Sequence, residues 1–75
     1  MKKPMYKVIF NVTETCNNGN ERRLQKVVYM PRFDEQTGKH ISTEQQIERG
    51  KKALVDEHYY NIEYGSTVAT ELFFG

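Results

Sequence analysis

Only one stretch of this chain, Ser42–Asn61 (STEQQIERGKKALVDEHYYN), has helical periodicity, and the sequence on either side of it alternates every second residue. A single amphipathic helix between strand-like segments has few ways to bury its apolar stripe. It must lie on a sheet made from the rest of the chain. Ser42 followed three residues later by Gln45 predicts a capping box, and Glu44 in the first turn suits the positive end of the helix dipole. A hydrophobic staple is absent, because the position that would meet Ile41 holds Gln46. Ile47, Gly50, Leu54 and His58 fall in one stripe, with Val55 and Ile62 at its edge. Gln45, Glu48, Arg49, Lys52 and Asp56 fall opposite, and Glu48 precedes Lys52 by four in the favourable order. Glycine inside a helix costs about 1 kcal/mol relative to alanine. On the buried stripe, Gly50 reads as a gap that lets the helix approach the sheet. The helix is expected to end near Asn61, which tolerates the left-handed conformation of helix ends.

Before the helix, Met5–Cys16 alternates, with Tyr6, Val8, Phe10 and Val12 on one side. Asn18-Gly19 then predicts a two-residue type I′ hairpin, which needs positive φ at both positions. That turn sets Asn17 opposite Asn20. It follows that Val12 meets Gln25, Phe10 meets Val27, Val8 meets Tyr29 and Glu14 meets Arg23. The return strand is Leu24–Phe33, and Pro31 places it at a sheet edge or ends it nearby. Asp34–His40 (DEQTGKH) is a polar loop; its Thr-Gly-Lys lacks the leading glycine and the directly following helix of a phosphate-binding loop. Beyond the helix, Ile62, Tyr64, Val68, Leu72 and Phe74 share a parity, unless Gly65-Ser66 breaks the segment into a short piece and a longer strand or marks a bulge.

The expected fold is therefore α+β, a two-layer ββαβ arrangement. Its antiparallel three-stranded sheet has the order 2-1-3, with one helix on one face. Residues 1–75 form one domain. The expected core is Tyr6, Val8, Phe10 and Val12 with Val27 and Tyr29, Ile47 and Leu54 of the helix, and Ile62, Tyr64, Val68 and Leu72.

Seventy-five residues bury a small core, and self-association is one common remedy. Disulfides are not available to a chain whose only cysteine is Cys16, a usage that fits the cytoplasm. No apolar run reaches the ~20 residues of a membrane span. The opening MKKPMYKVIFNV reads as a strand rather than a leader, so the Asn11-Val12-Thr13 sequon is taken as chance. A net charge of +1 gives no global attraction to nucleic acid or membrane.

Catalysis is not expected. His58 reads as a core-edge residue, His40 sits in a loop, no histidines and carboxylates show metal-ligand spacing, and no cofactor motif is present. The sheet face away from the helix is the expected working surface. Its apolar centre is Ile9, Val28 and Met30, rimmed by Lys7, Lys26 and Arg32. The partner expected there, or at a strand edge, is a second copy or another protein. The alternative is single-stranded nucleic acid held by Arg22, Arg23 and Lys26 of the hairpin. In the expected register, however, Tyr6, Tyr29 and Tyr64 all face the helix. Tyr59 and Tyr60 at the helix end read either as an amphipathic cover for the core rim, one packed on the sheet edge and one left outside, or as a contact hot spot.

Overall fold

The computed structural model describes residues 1–74. Its elements are β1 (Lys2–Thr15), β2 (Glu21–Pro31), α1 (Thr43–Asp56) and β3 (Tyr60–Phe73). The three strands form one antiparallel sheet in the order β2-β1-β3, with α1 over one face. This is the α+β ββαβ arrangement expected. β3 is one strand through Gly65-Ser66 rather than two.

The hairpin corrects the expected register by one residue. Asn18 keeps a negative φ and only Gly19 takes the left-handed region, at φ 84°. The loop is thus three residues long, Asn17–Gly19, closed by the Cys16 N–H donating to Asn20 O and the Gly19 N–H donating to Cys16 O. Asn18 Oδ1 accepts from the Asn20 N–H and stabilises this form. Val8 consequently pairs with Val28, Phe10 with Lys26, Val12 with Leu24, and Glu14 with Arg22 rather than Arg23. A one-residue slip turns every β2 side chain to the other face. β2 could accept it because both of its parities carry apolar residues, Leu24, Val28 and Met30 on one and Val27 and Tyr29 on the other. Turn chemistry therefore made the choice.

β3 is reset in the same way. The register shifts between Ile9 and Phe10, leaving Gly65 unpaired in a bulge. Before it, Tyr64 packs edge-on against Phe10, with centroids 6.0 Å apart. After it the parity inverts, so Val68 and Leu72 leave the expected core side and Thr67 takes it.

The core is Val8, Phe10, Val12, Met30, Ile41 and Leu54, with Tyr6, Leu24, Val28, Tyr59, Ile62 and Tyr64 packed around it. Val27, Tyr29 and Val68, expected inside, are outside. The capping box forms as expected, with Gln45 N–H donating to Ser42 Oγ and Ser42 N–H to Gln45 Oε1. Gly50 faces Phe10 so closely that a Cβ there would lie 2.2 Å from the ring. The buried helix stripe is Gln46, Gly50 and Leu54. Where a staple residue would sit, Gln46 Nε2 donates to Ile41 O, and its Oε1 accepts from Thr67 Oγ1 at 2.6 Å. Thr67 has spent its proton there, so Tyr64 OH donates to Thr67 Oγ1.

The helix stops five residues before Asn61. His58 takes the left-handed position at φ 71°, with its N–H donating to Val55 O and the Tyr59 N–H to Leu54 O, a Schellman ending. His58 is thus an exposed cap and not part of the apolar stripe. Asn61 does take positive φ, at 49°, but inside a second irregularity of β3.

Candidate functional site

The face of the sheet away from α1 is built from odd-numbered residues of β1 and β2 and from β3 after its bulge. Its rows follow from the register: Thr70, Met5, Pro31; then Val68, Lys7, Tyr29; then Ser66, Ile9, Val27. Val27 is 42% exposed, Tyr29 47% and Val68 50%, while Ile9 and Lys7 between them are half-buried. The result is a contiguous apolar patch with a cation in its middle. Among the described residues, Lys7 forms no ion pair.

The expected site residues are therefore divided. Lys7 and Ile9 lie on this open face. Val28 and Met30 do not: the one-residue shift turns both toward α1, where Met30 is buried and Val28 packs on the core. Lys26 also faces the helix side, opposite Phe10, with its ammonium 5.1 Å from the centre of the Tyr59 ring. The Tyr59 phenol raises the Lys26 pKa above its ordinary value. Arg32 reaches across β1 to donate to Thr70 O at 3.0 Å and leaves its Nε buried without a partner. Neither Lys26 nor Arg32 rims the patch as expected.

The basic hairpin is divided too. Arg22 pairs with Glu14, which raises the Arg22 pKa through a hydrogen bond and through charge. Arg23 is on the opposite face, near Thr13 and 3.5 Å from Glu63. Tyr59 packs against the core while the Tyr60 hydroxyl meets Thr15 Oγ1 at the surface.

Val27, Tyr29 and Val68, expected in the core, are the residues that the structure adds to the candidate surface. Two signals point to them: Gly19, the residue best suited to the single positive φ of a three-residue loop, and Gly65 as a bulge that inverts parity. Among the described residues, no three His, Cys, Asp or Glu side chains gather as a metal site, and no helix is long and apolar enough to cross a membrane. The depression beside the 32–41 loop, lined by Pro31, Phe33, Asp34, Glu35, Gln36 and Arg49, is open and mostly polar. Comparisons with protein-family models, curated proteins and solved structures return no match, so the reading of the site rests on its geometry.

Proposed function

We propose that this chain is a small non-catalytic interaction module whose working surface is the open face of its sheet. The observation that carries the reading is the grouping of Val27, Tyr29 and Val68 around Ile9 on a face that α1 does not cover. Three strands about 4.8 Å apart, with up to 14 residues at about 3.3 Å each, offer on the order of 650 Å² in projection. That approaches the ~800 Å² each partner gives to a standard interface. Lys7 in the centre selects a partner surface that brings a carboxylate among aliphatic side chains. Two copies stacked face to face would oppose Lys7 to Lys7 or set the apolar rows against Asn11, Gln25 and Glu63. A homodimer is therefore better served by a strand edge, leaving the face for another protein. The single free cysteine, Cys16, suits a cytoplasmic setting.

The test is a titration of isotope-labelled protein with an amphipathic model peptide that carries glutamate within a leucine face. A matched peptide with lysine in place of glutamate is the control. Resonances of Lys7, Ile9, Val27, Tyr29 and Val68 shift with the acidic peptide only, and Tyr29→Asp abolishes the response. Equal responses to both peptides, or none to either, remove the reading.

Single-stranded nucleic acid is the second reading, and one observation favours it: the register places Tyr29 outward beside Lys7. Against it, Arg22, Arg23 and Lys26 are divided between two faces and engaged by Glu14, Glu63 and Tyr59. Binding of a labelled single strand that weakens steeply with salt, and again when Arg22 and Arg23 are changed to alanine, would promote it over the protein-binding reading.

A further inference from the structure

We infer that β3 is a self-pairing edge, residues 66–73 of two copies joining antiparallel about a two-fold axis at Thr70 to make one six-stranded sheet. The inference rests on the interaction-module reading and names the second copy as the partner at the edge.

The backbone shows which groups are free. The Met1 amine donates to Phe74 O at 3.0 Å and the Phe74 N–H donates to Met1 O at 2.8 Å. Such mutual pairs recur at every second residue of an antiparallel ladder. The register from Lys2↔Phe73 to Ile9↔Ser66 is unbroken. Leu72, Thr70, Val68 and Ser66 therefore spend their N–H and C=O groups on β1, and Phe73, Glu71, Ala69 and Thr67 point theirs away from the sheet. The other side of β1 agrees. Arg32 N–H donates to Pro4 O and Cys16 N–H to Asn20 O, so the even residues of β1 serve β2 and the odd ones are left for β3.

The two free edges differ in how they are guarded. The outward groups of β2 belong to Arg23, Gln25, Val27, Tyr29 and Pro31. Pro31 has no N–H to offer at an outward position, and Arg22, Arg23 and Lys26 charge the strand. Prolines and cations are what natural edge strands use against unwanted pairing. Residues 66–73 of β3 (STVATELF) hold no proline and no cation, one carboxylate in Glu71, and β-branched Thr67, Val68 and Thr70. That is an unguarded strand composition.

The register of self-pairing follows. Setting Ala69 opposite Glu71 of the second copy, and Thr67 opposite Phe73, uses all four outward residues of each strand in hydrogen-bonded pairs. Thr70 then lies opposite Thr70 on the axis, and Val68 opposite Leu72, at the closer non-hydrogen-bonded positions. No like charges face one another. The contact is isologous, and the edges left are the two guarded β2 strands and the 60–65 ends of β3, which the bulge at Gly65 and the second irregularity interrupt, so growth stops at two copies. The open faces remain accessible and become continuous.

The test uses the full chain. Light scattering across the micromolar range gives twice the 8.9 kDa chain mass for the wild type. Ala69→Pro gives the single mass with an unchanged circular dichroism spectrum, because the Ala69 N–H points outward and serves no ladder bond. Should that proline unfold the chain, Thr70→Lys, which opposes two cations across the axis, gives the single mass. With Cys16→Ser as background, Thr70→Cys oxidises to a disulfide-linked dimer and Val68→Cys does not, because only position 70 meets itself. A wild type that stays monomeric, or a Val68→Cys chain that crosslinks as readily as Thr70→Cys, overturns the inference. A monomer that still responds to the acidic peptide leaves the open-face reading standing.

Discussion

The two faces of this sheet are made from alternating residues of the same strands, yet one is packed under the helix and the other is left open. Under α1, Phe10 fills the hollow left by Gly50, Leu54 closes on Val8 and Val12, and Gln46 ties the helix to Thr67 and Ile41. On the open side, Val27, Tyr29 and Val68 stay exposed around the half-buried Ile9. In β2 and β3 the difference is therefore not one of hydrophobicity along the strand. It comes from two backbone devices that decide which parity faces the helix: the loop at Asn17–Gly19 and the bulge at Gly65. Apolar residues on both parities leave a strand able to accept either register, and the turns break the tie.

The sharpest way to break this comparison is a pair of neighbours. Val28→Asp puts a carboxylate against the core and is expected to destabilise the fold by about 2–4 kcal/mol. Val27→Asp, one residue away on the open face, is expected to cost under about 1 kcal/mol. Urea unfolding of the two variants measures the difference, and equal losses would mean that the faces are not distinguished by this register. The next effect is smaller. Gly50→Ala adds helix propensity worth about 1 kcal/mol, but its methyl group would enter the ring of the fully buried Phe10. Overpacking outweighs propensity, for a net loss of about 1–2 kcal/mol. Phe10→Leu in the same chain should recover part of it, giving a favourable coupling in a double-mutant cycle.

The covered face was more legible in the sequence than the open one, for reasons that differ strand by strand. β1 has apolar residues mainly on one parity, so Tyr6, Val8, Phe10 and Val12 could be assigned without knowing any turn. The capping box at Ser42 and the gap at Gly50 are local and were equally plain. β2 could not be read from its own residues, because LQKVVYM is apolar on both parities and the assignment passed entirely to the hairpin. The expected site lost Val28 and Met30, and with them the rim residues Lys26 and Arg32, to that one residue of loop. β3 misled for a different reason: Ile62, Tyr64, Val68 and Leu72 share one parity, and the inversion is hidden in Gly65. The helix end was misplaced because a histidine fills the cap position that glycine usually marks.

That cap offers a prediction of opposite sign. His58 holds φ 71° at the cost of a Cβ contact that glycine avoids, and its side chain is exposed. His58→Gly is expected to raise stability by about 0.5–1 kcal/mol, read as a higher thermal midpoint. The cap also turns Tyr59 back onto Leu54, so the covered face should tighten while the open face is unchanged. A lower midpoint would show that the His58 side chain contributes something the backbone geometry does not require.

The smallest expected effect probes the loop that divides the faces. Deleting Asn17 leaves Asn18-Gly19 as a two-residue connection with Cys16 still opposite Asn20. Asn-Gly favours the type I′ geometry that such a connection needs, so the shortened hairpin keeps Val28 inside and Val27 outside. Stability should stay within about 0.5 kcal/mol of the wild type, because loop closure depends weakly on length and no core contact moves. The informative readout is the pattern of slow amide exchange along β2. The even residues bonded to β1 should stay protected and the outward odd residues should exchange. A reversal of that alternation would mean that the deletion slid β2 by one residue, and that the three-residue loop, rather than the fit of Leu24, Val28 and Met30 beneath the helix, is what holds the two faces in their present assignment.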